Sequence, residues 1–368
     1  MTKPKHSAEN ERIKRRYLIW LKEAKGYSTA SIDMAAAAIS RFEAYTNHRD
    51  FKRFHVELAI AFKSHLAGKA VGVQSGTLLS KATVASTLRH LKAFFSWLAD
   101  RPGYKSTVRY SDAAYFTPLG QDERIANATR NKPVPEFEEI TRTLLAMPAE
   151  TEIERRDRAV FAFIFLTAAR DRAVASFKLK HVDLSRGTLF QDAREVRTKR
   201  AKTFVTGFFP VGDEPGRIIS EWISFLKVEK GFGSDDPLFP ATLVALDGNQ
   251  QFAAAGIGRT HWMTTTPIRK IFANAFQNVG LPYFNPHSVR STVTRLGERR
   301  CRTAEEFKAW SQNLGHEKVM TTFSIYGKVA EERQMEIIAG LGRNRSEEDD
   351  LAGEIARVIR NQRSRAIS

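Results

Sequence analysis

Four short segments in the last third of the chain decide its reading: His287-Ser288-Val289-Arg290, Leu314-Gly315-His316, Thr321-Thr322 and Ile325-Tyr326. Upstream of them, Arg170 closes an apolar run and Lys199 follows Val196-Arg197-Thr198. In chain order this supplies a guanidinium, an ammonium, an imidazole, a second guanidinium, a second imidazole and a phenol. A phosphodiester under attack gathers negative charge, and cations held in place stabilise it. The phenol is the attacking group. Each residue alone is weak evidence, since His-x-x-Arg arises often by chance and a buried tyrosine with a satisfied hydroxyl is commonplace. Together and in order they point to phosphoryl transfer without a metal.

Composition agrees. The chain has 368 residues, enough for two domains with sizeable cores, and is 42% hydrophobic and 10% aromatic. Its formal net charge of +17 favours a polyanion, nucleic acid before an anionic membrane surface. Cys301 is the single cysteine, so no internal disulfide and no cysteine-based zinc site can form, which suits a reducing cytoplasm. Neither a signal peptide nor a membrane span is expected, because no apolar run follows the charged start.

The periodicity is mostly helical, and the expected fold is mainly α with a small antiparallel β-sheet (α+β). Residues 9–102 read as a helical domain. Ile13, Tyr17, Trp20 and Leu21 fall at helical spacing, Gly26 ends that helix, and Ser28 or Ser31 caps the next, which runs to Tyr45. From Ser80 onward, Val84, Leu88, Leu91, Phe95 and Leu98 form an apolar stripe, and Phe94, Phe95 and Trp97 read as core. Lys81, Arg89 and Lys92 lie beside the stripe near one face, where they could meet phosphates or a major groove.

Residues 103–134, opened by the breaker Asp100-Arg101-Pro102-Gly103, read as a linker. Residues 135–345 read as a mixed second domain, and 346–368 as a C-terminal tail with a helix. In the second domain a buried helix covers 156–169. Two strands at 188–198 and 203–211 would be joined by the basic hairpin tip Lys199-Arg200-Ala201-Lys202. Helices follow at 218–228 and 267–279.

At this point the chain resembles the tyrosine recombinases of the phage-integrase family. Thr167-Ala168-Ala169-Arg170, followed by Leu179-Lys180-His181-Val182-Asp183-Leu184, looks like that family's first arginine box. The four segments from His287 to Tyr326 look like its second. The resemblance implies a site-specific DNA recombinase with an N-terminal helical (SAM-like) core-DNA-binding domain and a catalytic domain. It implies strand breakage through a 3′-phosphotyrosyl intermediate, with no metal, ATP or other cofactor. It also implies a tetramer assembled on double-stranded DNA. A paralogous recombinase or a DNA-bending protein could assist. Val329 to Leu341, with Met335, Ile337, Ile338 and Leu341, is amphipathic and could dock on a neighbouring subunit or fold back on its own domain. No further arm-binding module is expected before residue 9.

The roles follow from the side chains. Arg170 and Arg290 can fork onto the phosphate oxygens. Tyr326 attacks phosphorus, and a phenol with an ordinary pKa of about 10 needs nearby cations or a base, for which His287 is the natural acceptor. His316 would hydrogen-bond a phosphate oxygen. The leaving 5′-oxygen needs a proton, and a hairpin-tip lysine can give it. Lys199 is the first choice and Lys202 the alternative, with Arg200 and Lys202 also placed to touch DNA. Two departures from the family pattern stand out: Ala173 occupies a position where relatives often carry an acidic residue that orients its neighbours, and Ser291 one where many carry histidine. A zinc site from His287 and His316 is rejected, because the spacing is long and Arg290 would face the cation. The alternatives are a type IB-like topoisomerase or telomere resolvase and, in another class, a DNA-binding accessory protein without catalysis.

Overall fold

The computed structural model describes residues 7–68, 79–118, 133–246 and 250–316, with positions 120, 123–124, 248, 334–335 and 338 besides. Tyr326, most of the amphipathic 329–341 segment and the tail 346–368 lie outside the described residues. The chain divides into two units, Met1–Arg130 and Asn131–Ser368.

The first unit is a helical bundle. Helix α1 (Ala8–Glu23) is capped by Ser7, whose hydroxyl accepts from the Asn10 amide, and buries Ile13, Tyr17 and Leu21. Gly26, with φ of 64°, turns the chain into α2 (Thr29–Tyr45), capped by Ser28. Helix α3 (Val56–Gly68) and helix α4 (Lys81–Leu98, capped by Ser80) complete the bundle, followed by the short α5 (Tyr110–Ala113). Phe94, Phe95 and Trp97 are core, as expected. Phe95 stacks on Phe54 with ring centroids 4.1 Å apart and on Phe116 at 5.3 Å. The packing extends past the breaker at 100–103: Tyr104, Val108, Ala113 and Phe116 are buried in this same cluster. Residues 103–116, expected as linker, therefore pack within the helical unit, because they carry apolar side chains at intervals that reach its core.

The second unit is built round helix α7 (Glu152–Thr167), buried on all sides from Ala159 to Thr167. Phe161 stacks on Phe272, and Phe163 meets Phe177 and Phe239 edge-on. Around it lie α6 (Phe137–Ala146), α9 (Asp213–Ser224) and α10 (Thr266–Asn278). The short α8 (Asp171–Val174) follows α7 directly, and α11 (Pro286–Arg300) and α12 (Ala304–Asn313) close the unit. Gly297 on α11 lets the Trp310 indole of α12 approach to where a Cβ would sit, 2.7 Å away.

Two antiparallel sheets are present among the described residues. β1 (Val182–Asp183), β2 (Thr188–Gln191) and β3 (Phe204–Gly207) form one, with Thr188 opposite Gly207 and Gln191 opposite Phe204. The strands expected at 188–198 and 203–211 are thus shorter. Asp192 breaks the ladder: its carboxylate accepts from the Arg194 amide and its carbonyl from the Val196 amide, so the chain turns before pairing can continue. Residues 192–203 are a loop rather than a tight tip. The second sheet, β4 (Pro240–Leu246) with β5 (Phe252–His261), was not anticipated. Its second strand is dominated by alanine and glycine, with only Ile257 and Thr260 β-branched, so the composition that marks a strand in sequence is weak. No described helix is long and apolar enough to cross a membrane.

Candidate active site

Helix α7 ends at Ala168, whose φ of 50° is the left-handed conformation that usually calls for glycine. The turn redirects the chain so that Arg170 becomes the N-cap of α8, and its side chain, half-buried, enters a cleft. Helix α11 begins at the same place. Asn285 caps it by accepting from the Ser288 amide, and Pro286 takes the first helical position, where its missing N–H costs nothing. His287 and Arg290 then stand one helical turn apart on the same face. The N-terminal end of a helix favours an anion.

Arg290 is 4% exposed. Its guanidinium donates to the carbonyl oxygens of Ala168 and Leu314, and to Nε2 of His316 at 3.2 Å. The strained end of α7 and the end of α12 are therefore both tied to one side chain. Burial, and then the nearby Arg170, push Arg290 down to about 9, so it is still a cation at neutral pH. Burial lowers Arg170 as well. Two guanidiniums that repel each other across a desolvated cleft are stabilised by whatever anion comes between them.

His316 owes its place to a glycine. The Gly315 amide donates to Gln312 and the His316 amide to Ser311, the hydrogen-bond pair of a Schellman helix end. Gly315 has φ of 70°, and a Cβ there would lie 2.6 Å from the Phe204 ring. The imidazole projects from this turn onto Arg290. Burial and then the cations Arg290, Arg170 and Lys199 push it down to about 4. His287 is lowered by desolvation first and then by Arg290 and Arg170, partly countered by Asp171. Both rings are thus neutral at physiological pH and able to accept.

Arg170, Lys199, His287 and Arg290 line one cleft of about 540 Å³, together with Asp171, Arg269, Tyr283 and Asn285. His316 joins through Arg290. Of the basic residues at the expected tip, Lys199 alone lines this cleft. The ammonium of Lys202 lies 5.7 Å from the Phe204 ring centre, and Arg200 is exposed with φ of 60°. In the first unit Arg89 and Lys92 are exposed on α4 and Lys81 partly so; the Lys92 ammonium donates to the Thr117 hydroxyl at 3.0 Å. Arg269, paired with Asp171 at 3.3 Å, and Tyr283 were not singled out from sequence, since neither sits in a recognisable spacing. The Asn285-Pro286 pair is a helix-start signal that could have flagged the cleft wall. Among the described residues no three His, Cys, Asp or Glu side chains gather as a metal site.

A cleft lined by two arginines, a lysine and an imidazole defines a site for an anionic, phosphate-like centre. Residues 136–333 match the profile of the phage integrase family, and the chain belongs to that family. It is a site-specific recombinase, an enzyme of DNA strand breakage and rejoining. The chain is 23% identical over 334 residues to the tyrosine recombinase XerC of Halalkalibacterium halodurans, covering 89% of this chain and 96% of that protein. Its fold is similar to that of a lambda integrase dimer bound to a COC′ core site, at 12% identity and a TM-score of 0.58, over 87% of this chain and 97% of that one. It is also similar to the Tn1549 transposon integrase in complex with transposon right end DNA, at 14% identity and a TM-score of 0.58, over 90% and 99% of the two chains.

Proposed function

We propose that the cleft holds the scissile phosphate of double-stranded DNA and that Tyr326 is the nucleophile. Arg170 and Arg290 bind the non-bridging oxygens, and His316 supports them. As the phenol oxygen bonds to phosphorus, its proton passes to neutral His287. The P–O5′ bond breaks, and Lys199 gives a proton to the departing 5′-oxygen. A 3′-phosphotyrosyl enzyme and a free 5′-hydroxyl remain. Attack by a 5′-hydroxyl reverses the steps and reseals the strand, so the phosphoester bond energy is conserved and no ATP is needed. The observation that carries this reading is the convergence of Arg170, Lys199, His287 and Arg290 on one cleft, although they come from separate elements of the chain.

Residues 9–102 act as the core-DNA-binding domain through α4, residues 135–345 as the catalytic domain and 346–368 as a tail. Lys81, Arg89, Lys92, Arg200 and Lys202 contact DNA. Replacing Arg89 by alanine should reduce the slope of log affinity against log salt by about 0.9 if it meets one phosphate. Four copies assemble on two duplexes in the cytoplasm, at the nucleoid, with a paralogue or a bending protein as possible helpers. Truncation at Gly327 should spare DNA binding and weaken cooperative assembly; unchanged cooperativity in a gel-shift titration would count against that role for residues 329–341.

Covalent trapping on a pool of nicked duplexes tests the whole reading. Adducts that converge on one inverted repeat and vanish in Tyr326→Phe, with binding retained, are the expected result. Adducts that persist in Tyr326→Phe would sink the assignment. Adducts without sequence preference would indicate a topoisomerase.

A further inference from the structure

The loop that carries Lys199 is anchored on one side and open on the other. It leaves β2 at Gln191 and turns at Asp192. Its neck is closed by the Ala193 amide, which donates to the Thr203 hydroxyl at 3.0 Å. Three consecutive residues then fasten it. The two carboxylate oxygens of Glu195 each take a different lysine, Lys178 at 2.9 Å and Lys180 at 2.9 Å. Val196 is 3% exposed and packs in the core. The Arg197 amide donates to the Ser176 hydroxyl at 2.9 Å, and its guanidinium donates to the carbonyls of Trp262 and Met263 at 3.2 and 3.1 Å. Thr198 and Lys199 come next, followed by Arg200 and Ala201, both with positive φ.

The partners of Glu195 are themselves fixed. Lys178 and Lys180 flank buried Leu179, whose amide donates to Asp236, while the Lys180 amide donates to Ser234. His181, 3% exposed, accepts from the Lys178 amide through Nδ1 at 2.9 Å. Asp235 holds the same two ammoniums from the opposite side, at 3.1 and 2.8 Å. Charges of alternating sign thus form a closed ring, and only Glu195 in that ring belongs to the Lys199 loop.

Exposed ion pairs of this kind add little to stability. Their consequence here is geometric. Lysine is a compact charge on a long flexible stem, and a proton donor works only when held near the leaving atom. We propose that Glu195 and Arg197 are positioning residues that set Lys199 in the cleft, Glu195 through the Lys178–Lys180 pair and Arg197 through the carbonyls of Trp262 and Met263. The proposal rests on Lys199 being the general acid.

Sulfur in place of the 5′-bridging oxygen separates this role from a merely structural one, because a thiolate departs without a proton. The rate of adduct formation would be measured at saturating DNA on nicked duplexes with either atom at the scissile link. Each variant is compared with the wild type on the same substrate, and its melting temperature is recorded. Lys199→Ala is expected to slow the oxygen substrate by about 10²- to 10⁴-fold and to recover on sulfur. Glu195→Gln and Arg197→Ala should slow the oxygen substrate by about ten- to a hundredfold and also recover on sulfur. Asp235→Asn, which frees one side of the same lysines without touching the loop, should slow the oxygen substrate less than Glu195→Gln does and likewise recover on sulfur. Equal slowing of Glu195→Gln on both substrates, or no slowing at all, would overturn the proposal while leaving Lys199 as the acid. A Lys199→Ala variant that fails to recover on sulfur would remove Lys199 as the acid, and the positioning role would fall with it.

Discussion

The two sides of the cleft are held in different ways. On one, Arg290 is buried and bonded to two backbone carbonyls and an imidazole, so its fork has a single direction. On the other, Lys199 stands at the end of an anchored neck, with its own side chain exposed. Stabilising the charge of a transition state requires donors already in place, since reorganising them during the reaction would raise the barrier. Donating a proton requires reach and return. Under the proposed mechanism the fixed wall serves charge stabilisation and the looser one proton transfer.

Breaking the fixed wall should have the largest effect. Arg290→Ala is expected to lower the rate of covalent adduct formation by about 10³- to 10⁵-fold, the range seen when a phosphoryl-transfer arginine is removed. Arg290→Lys keeps the charge but cannot fork onto two oxygens or reach both carbonyls. Recovery of most of the rate in that variant would mean that charge alone matters at this wall.

Gly315→Ala tests the same wall without touching a charge. Its Cβ would meet the Phe204 ring, and its positive φ would be strained, so a loss of about 1–3 kcal/mol in thermal or denaturant unfolding is expected. Adduct formation should fall with it as His316 shifts. Adding Phe204→Ala should relieve the collision but leave the backbone strain, and full restoration would show that strain is negligible.

A pH experiment follows from His316. Its value drops from 6.5 to about 4 in the DNA-free protein, so the unfolded chain takes up a proton that the folded one refuses between those limits. Stability should therefore fall as pH drops through that window, by on the order of 2–3 kcal/mol for this residue. The loss should be smaller in His316→Gln. Bound phosphate reverses the sign, because its charge raises the imidazoles, so DNA affinity should tighten as pH falls. A flat affinity profile would place the phosphate away from His316.

The smallest effect sharpens the other wall. Lys202 lies over Phe204 rather than in the cleft, and Lys202→Ala should slow cleavage by about two- to fivefold at most, the worth of an exposed cation–π contact. A loss as large as that of Lys199→Ala would reverse the choice between the two lysines.

Helix ends and apolar stripes were legible in sequence because they are local. Ser28 and Ser80 cap helices where polar residues precede periodic apolar ones, and Phe94, Phe95 and Trp97 are buried as their spacing required. The reach of β2 was not legible, since Asp192 ends it through contacts with its own backbone that hydrophobic pattern does not register. The pairing of β4 with β5 was hidden by a strand of alanine and glycine. Arg269 was invisible because its meaning comes from Asp171, far away in sequence.

The sequence by itself determined the chemistry on offer. The order of arginine, lysine, histidine and tyrosine and the large positive charge point to phosphoryl transfer on a polyanion. It also determined the turn at Leu314-Gly315-His316, because a helix end that needs positive φ selects glycine. Only the tertiary structure decided which residues meet. It joined the left-handed end of α7 to the Schellman end of α12 through Arg290, and it put Lys199 in the cleft instead of Lys202. Local propensities act over a few residues. The cleft is made by contacts between residues up to 122 positions apart, and packing alone sets their distances.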